Sequence, residues 1–572
     1  MRFWLSITTF VVGLSLAAAG LVDQFENRPI ERISASNIDI PDRSYILIPN
    51  KTLTSYPGEV QVVAEGDAQV FMATVRESDA VAWLEGSPYL EFRPSVDLIK
   101  ETVALSQIER PGEGNLIDPI GQDIWRSEVL GTSVASLAVP QGNEVAVLIA
   151  SDGLAVAPFA VTVQWKLPAQ GLPFSPLPPI GLGLMLLGSA GVILDWWLRR
   201  KRASVGRRSS GPKPPRPALP SLAKIRSFTQ RNKPSGRRSA RRLRFTALLL
   251  AAATLSGCTA EYVSPVINPQ PSSAPDSLTP VMTREQFERV LEEIVNVVSQ
   301  ADAELDAESI EVRVTGAALA TRRAAYNLAR RTEAEDDGPE PIQAGPVQLF
   351  LPSATDTWPR SVMAVTGEER LQLLVLTQDG PRERYQLSNY VSLLPGADFP
   401  EVAAEELGAN AIKLDSRFLS FDPTKLPEAV GDLINNPADS AWSALVDPEN
   451  KYISDLVVFQ QNLTETLSNA NLSFGHALGS EQITLLASAD GGALVALYMV
   501  DTYTIIPREP GDAVAITGDE ALLLGTGGSA TGIETKYGAM LLFHIPATGS
   551  DQPVRLLGAT QQLLSAVNLG AR

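Results

Sequence analysis

Three apolar runs divide this chain before any motif is considered. Residues 3–19 follow a lone Arg2 and end in Ala17-Ala18-Ala19, which fits an export signal with a small-residue cleavage site or an uncleaved anchor, over 1–20. The run from Ile180 to Leu198, extendable to Leu172, approaches the roughly 20 residues that cross a bilayer and predicts a transmembrane helix over 172–198. The third run, Phe245 to Leu255, is about 11 residues, short for a span. Between the first two runs apolar and polar positions alternate: Glu59-Val-Gln-Val-Val-Ala, Gln69-Val-Phe-Met-Ala-Thr-Val, Glu144-Val-Ala-Val-Leu-Ile-Ala and Phe159-Ala-Val-Thr-Val-Gln-Trp. With Pro, Gly and Asp turns between them, these predict an exported all-β, sandwich-like domain over 21–168, with one helical turn at Asp79-Ala-Val-Ala-Trp-Leu.

The period changes after residue 280. Thr283 and Gln286 form a capping box, Met282 and Phe287 a hydrophobic staple, and Phe287, Leu291, Ile294, Val298, Ala301 and Leu305 continue one helical face. Strands follow, with a hairpin turn at Asp379-Gly380. From about 440 the order recurs: Asp447 is placed to cap a helix with Pro448 at its first position, and Ile453, Leu456, Gln460, Leu463 and Leu467 share a face. Thr315-Gly-Ala-Ala-Leu matches Phe474-Gly-His-Ala-Leu, Leu371-Gln-Leu-Leu-Val-Leu matches Ala539-Met-Leu-Leu-Phe-His, and Leu393-Leu394 matches Leu563-Leu564, all at an offset of about 160 to 170 residues. The expectation is two α+β repeats, 281–400 and 440–572, joined by a connector at 401–439. Each would be a cystatin-like or nuclear-transport-factor-2-like cone, a long helix wrapped by antiparallel hairpins.

Charge fixes the expected topology. From Arg199 to Phe245 there are 17 Lys or Arg and no acid, so the net charge of −18 conceals about −35 on everything else (−18 − 17). Trp196 and Trp197 followed by Arg199-Arg200-Lys201-Arg202 put this end in the cytoplasm by the positive-inside rule, and make Asp195 interfacial. The stretch 199–244, rich in Pro and Ser, reads as a disordered cytoplasmic linker that contacts anionic membrane lipid. Nucleic acid is excluded as a partner: Phe228 is the only interior aromatic and membrane segments tether both ends.

The sole cysteine, Cys258, closes Leu255-Ser256-Gly257-Cys258 behind Arg237, Arg238, Arg241, Arg242 and Arg244. A basic stretch, a short apolar run and small residues before the thiol make 245–258 a lipoprotein-type signal or a short membrane segment, with Cys258 as the lipidation site. The stretch 259–280 reads as a stalk, and one cysteine leaves no disulfide within the chain. From there to the C-terminus, Val314-Thr-Gly-Ala-Ala-Leu with Arg322-Arg323-Ala-Ala-Tyr326, Asp356-Thr-Trp-Pro-Arg360, Leu374-Val-Leu-Thr-Gln-Asp-Gly380 and Leu393-Leu-Pro-Gly396 resemble a family of uncharacterised actinobacterial lipoproteins. That resemblance covers a little over half the chain and brings no activity with it. It implies that the first 240 or so residues are a fused neighbour, a small exported membrane protein.

The residues offer little catalytic chemistry. His476 and His544 align with Ala317 and Leu376 across the expected repeat, and no zinc spacing is present, so no metal, cofactor or catalytic residue is assigned. Gly525-Thr-Gly-Gly-Ser-Ala-Thr-Gly532 lacks the Lys of a phosphate loop and lies between strands. The candidate ligand-binding residues are Trp358, which could stack, and Arg360, which could pair an anion; against this, Trp358 could simply plug a core. The expected function is a non-catalytic cell-envelope membrane protein or lipoprotein, with most of its mass outside the membrane, that binds or scaffolds an envelope protein or wall component. The alternative is an extracytoplasmic hydrolase or isomerase in which Asp356, Tyr390 or His476 converge inside a cone.

Overall fold

The computed structural model describes residues 2–26, 32–37, 40–97, 102–114, 116–140, 142, 144–158, 160–168, 176–203, 278–332, 338–447 and 450–571. Cys258, the basic linker and the stalk lie outside the described residues. Contacts divide the chain into two units, Met1–Pro29 with Ala169–Ser273, and Ile30–Pro168 with Ala274–Arg572. Among the described residues up to 203 the helices are α1 (Arg2–Glu26), the short α2 (Asn50–Leu53), α3 (Glu77–Trp83) and α4 (Leu177–Ala203).

In the first unit α1 and α4 pack on each other. Both are long and apolar enough to cross a membrane, over Phe3–Asp23 and Leu177–Lys201, with mean hydropathy 2.0 and 1.9. They run antiparallel, since the Arg199 guanidinium lies 5.4 Å from the Phe3 ring at one end and Gly20 meets Pro178 at the other. Glycines permit the approach: a Cβ on Gly13 would sit 2.6 Å from the Gly181 carbonyl oxygen, and one on Gly188 would sit 2.7 Å from the Phe10 nitrogen. Apolar surroundings provide no hydrophobic drive for helices to associate, so small residues that bring backbones together do that work. Asp195 pairs with Arg199 at 2.8 Å one turn on, while Arg200 and Lys201 lie over Trp196 and Trp197.

The second unit opens with ten strands: β1 (Arg32–Asn37), β2 (Tyr45–Ile48), β3 (Glu59–Glu65), β4 (Val70–Arg76), β5 (Tyr89–Asp97), β6 (Thr102–Arg110), β7 (Ser127–Gly131), β8 (Val134–Val139), β9 (Val145–Ala150) and β10 (Ala160–Lys166). They form one sheet in the order β7-β4-β9-β2-β5-β6-β1-β10-β3-β8. Its two ends, β7 and β8, are joined by a tight turn, so the sheet is a nearly closed barrel and not the expected sandwich. The reason lies in β2, β4 and β9, which are buried along their whole length. Ile46, Met72 and Ile149 belong to one cluster, and Tyr45, Phe71 and Leu148 to another built on Trp83 and Trp125. A strand covered on both faces reads as a continuous apolar run, which carries no information about how a sheet closes.

The rest of the second unit contains α5 (Arg284–Glu304), α6 (Gly316–Ala329), β11 (Val347–Pro352), β12 (Arg360–Thr366), β13 (Gln372–Gln378), β14 (Gln386–Ser392), α7 (Leu426–Asn435), α8 (Lys451–Thr466), β15 (Ala470–Leu478), β16 (Thr484–Ala487), β17 (Ala493–Pro507), β18 (Val514–Ala515), α9 (Asp519–Leu524), β19 (Gly528–Ser529), β20 (Ile533–Ile545) and β21 (Arg555–Asn568). The expected capping box forms, with Thr283 accepting from the Gln286 nitrogen. The next long helix starts later than expected, at Lys451 with Asn450 as its cap, while the Asp447 nitrogen bonds the Val554 carbonyl.

Two cone repeats are not what these elements build. Thr315-Gly-Ala-Ala-Leu enters helix α6, whereas its supposed counterpart Phe474-Gly-His-Ala-Leu lies in strand β15. The sheets differ as well, β11-β12-β13-β14 against β15-β17-β20-β21 with β16 added to β17. One core crosses both: Phe287, Leu374 and Leu376 cluster with Leu494, Met540 and Leu542, and Leu393 bridges Gly558. Short phrases of Gly, Ala and Leu fit either a helix or a strand, so their recurrence set no register.

Candidate functional site

The expected ligand residues lead to the contact between the barrel and the segment after residue 278. Asp79 stands on α3 and accepts from the Arg360 Nη2 at 2.7 Å, with Arg76 Nη1 at 3.9 Å; all three side chains are at most 2% exposed. Arg76 also reaches across, donating to the Thr355 carbonyl at 3.0 Å and to the Asp356 carboxylate. Trp358 lies over the guanidinium of Arg360, 3.6 Å from its centroid, and donates through Nε1 to Gln378 at 3.0 Å. Trp358 and Arg360 are therefore stacked on each other, and an acid from the other segment already holds the arginine.

A second pair repeats this chemistry. Asp123, in the loop before β7, accepts both Nη atoms of Arg313, at 2.5 and 3.1 Å, and the Tyr385 nitrogen at 2.7 Å. Around it Gln286 donates to the Asp123 carbonyl, Arg289 to that of Trp125, and Arg382 to those of Trp83 and Glu85 at 2.9 and 2.6 Å. Burial pushes the Tyr385 hydroxyl well above its usual range, and keeps it neutral. A fork of two parallel hydrogen bonds fixes orientation as well as charge. Removing one partner of a buried pair costs about 3–5 kcal/mol, because the other charge is left uncompensated.

Comparison with known proteins decides the family of this segment. Residues 278–568 match the domain of unknown function DUF8094. The chain belongs to that family. No curated protein and no solved structure matches it.

Both histidines fall inside the DUF8094 domain, in separate places. His544 on β20 is fully buried, with Nδ1 3.3 Å from Arg555 Nη2 and Nε2 3.1 Å from Asp490 and 3.5 Å from the Ser488 hydroxyl. The set of Ser, His and Asp suggests a hydrolytic triad, but its geometry is reversed. Arginine can only donate, so Nδ1 accepts and Nε2 carries the hydrogen, facing both acid and serine. A base needs a free Nε2 toward its serine and the acid on Nδ1; here Ser488 gives its hydrogen to Asp490. Burial, then the Arg555 charge, lowers the His544 pKa, against the opposing pull of Asp490.

His476 on β15 donates through Nδ1 to Asp501 at 2.6 Å, while Gln561 donates to the second Asp501 oxygen at 3.0 Å. Its Nε2 is 3.4 Å from the Gln460 amide nitrogen, so an amide stands where a nucleophile would be required. Tyr390, the other residue named with it, lies under Arg322, whose partner is Asp302 at 2.6 Å. Asp356, Tyr390 and His476 thus belong to three different hydrogen-bonded groups. Among the described residues no cluster of His, Cys, Asp and Glu has the makings of a metal site. The residues that sequence reasoning passed over are Asp79, Asp123, Arg76 and Arg313. Their signal was faint: acids beside tryptophan within apolar stretches, Asp79-Ala-Val-Ala-Trp83 and Asp123-Ile-Trp125.

Proposed function

We propose that this protein is a non-catalytic, membrane-anchored scaffold or binding module of the cell envelope, in which the barrel and the DUF8094 domain act as one extracytoplasmic body. The observation that carries this reading is the buried Asp123–Arg313 pair, one residue from each segment. Groups this buried cannot have been separated by a bilayer. With α1 and α4 as the anchoring hairpin, the basic stretch after Arg199 lies on the cytoplasmic side and the chain must cross back before residue 278. The apolar run at 245–255 supplies that crossing, or the lipoprotein signal for which Cys258 is placed, in keeping with the likeness to actinobacterial lipoproteins. The scaffold reading is further supported by the chemistry: the acids, arginines and histidines that catalysis would recruit are each engaged with one another.

Thiol labelling in intact cells tests it. In a Cys258→Ser chain, single cysteines replacing Leu154 of the barrel (73% exposed) and Phe418 of the DUF8094 domain (80% exposed) should react with a membrane-impermeant maleimide. One replacing Ser227 should react only after permeabilisation. Labelling of Ser227→Cys from outside, or opposite behaviour of the first two, would overturn the reading.

A further inference from the structure

A groove of 400 Å³ opens between α7, α8 and the edge strand β15 of the DUF8094 domain. We infer that it is a binding site for a neutral polyhydroxylated ligand, a saccharide of the envelope; this names a ligand class for the scaffold proposed above and rests on that reading.

The lining carries the argument. Asn435, Gln461 and Thr464 line it with amides and a hydroxyl over the nearly buried Gln460, the Asn435 amide nitrogen and the Thr464 hydroxyl hydrogen being spent on the Phe474 and Gln460 carbonyls, and of all the lining residues only Glu465 is charged. Amides and hydroxyls can each donate and accept, which is what a sugar hydroxyl requires, whereas a phosphate or carboxylate ligand needs cations that are missing. Phe474, Leu472 and Pro437 give the groove an apolar wall for the C–H face of a ring. The volume falls within the range of small-ligand sites and has room for about two sugar rings.

The floor is held in place from behind. Gln460 is 6% exposed, and its amide nitrogen meets His476, which is fixed in turn by Asp501, itself fully buried and held by Gln561. A buried His–Asp pair with no nucleophile in reach has a use if it orients the one amide at the base of a recognition groove. Gly431 on α7 leaves the space His476 occupies, since a Cβ there would lie 2.7 Å from the His476 Cβ. The other occupant to weigh is a peptide adding to the β15 edge. Asn435 opposes it by donating to the Phe474 carbonyl at 3.3 Å, a group that an added strand would need.

Saturation-transfer NMR on the full chain in lipid nanodiscs tests the inference, with cellobiose, maltose and N,N′-diacetylchitobiose as neutral probes and a glucuronate-containing disaccharide as the acidic one. At least one neutral probe should receive transfer on its ring protons, and the acidic probe should bind about tenfold more weakly. Gln461→Ala and Phe474→Ala should each weaken binding about tenfold. Gln461 is an exposed residue, so that variant should keep the native melting temperature and separates loss of contact from loss of fold. Silence from every neutral probe at about 10 mM, transfer unchanged in both variants, or displacement of the sugar by an extended peptide would overturn it. None of these results would alter the labelling pattern that tests the scaffold reading.

Discussion

A carboxylate withdrawn from water needs partners for its lone pairs, and Asp123 has three: two guanidinium nitrogens of Arg313 and the Tyr385 backbone nitrogen. Asp79 and Arg360 repeat the device a short distance away, with Trp358 lying over the guanidinium. His544 shows the same economy in a titratable group. Its lowered pKa means the folded state resists protonation, so its contribution to stability is present above the ordinary value of 6.5 and is lost as pH falls toward the lower folded value. A melting series from pH 8 to 5 should show this decline, and His544→Gln should flatten it over that interval. An unchanged slope in the variant would mean that other groups set the acid sensitivity. At this scale the sequence was partly legible. Trp358 and Arg360 stood out as an aromatic and a cation in one short phrase, and they do meet. Asp79 and Asp123 did not stand out, because nothing local to an acid reveals an arginine nearly 200 residues or more away.

Elements with strong local codes were the most readable. Thr283 and Gln286 cap α5 as their spacing requires, and α3 forms at the Asp79 to Trp83 turn. The two long apolar helices were evident from length alone, but their pairing depended on glycines whose spacing had no reading until the partner was known. Gly188→Leu should drive a side chain into the Phe10 backbone and cost the α1–α4 contact about 1–3 kcal/mol. In a Cys258→Ser chain carrying Phe3→Cys and Arg199→Cys, whose native side chains meet at one end of the helix pair, a short bismaleimide should cross-link the two efficiently, and Gly188→Leu should reduce the yield severalfold. Equal yields would show that the helices do not pack through this face. The supposed repeat failed at this same scale. Gly-Ala-Ala-Leu lies in helix α6 with Ala317 and Ala318 buried in the shared core, whereas Gly-His-Ala-Leu lies in β15, whose residues alternate between half-buried and exposed.

Across the whole molecule, the largest departure from the sequence reading is that the segment before the long apolar helix α4 and the segment after residue 278 are one folded unit. A chain interrupted by a membrane helix and a basic linker reads as separate modules, because charge and hydropathy report on compartments and not on which surfaces meet. The long-range pairs Arg76–Asp356, Asp79–Arg360 and Asp123–Arg313 are among the contacts that join them. If these contacts suffice, the folded unit should survive a cut in the connection between the segments, whether or not a peptidase acts before Cys258. That claim has a direct measurement. A protease site introduced at residue 230 is cut in the purified, detergent-solubilised protein, and the products are followed by size-exclusion chromatography. The two fragments of the native sequence should co-elute as one species, and Asp79→Asn with Asp123→Asn should let them part. Separation of the native-sequence fragments on cleavage would contradict it.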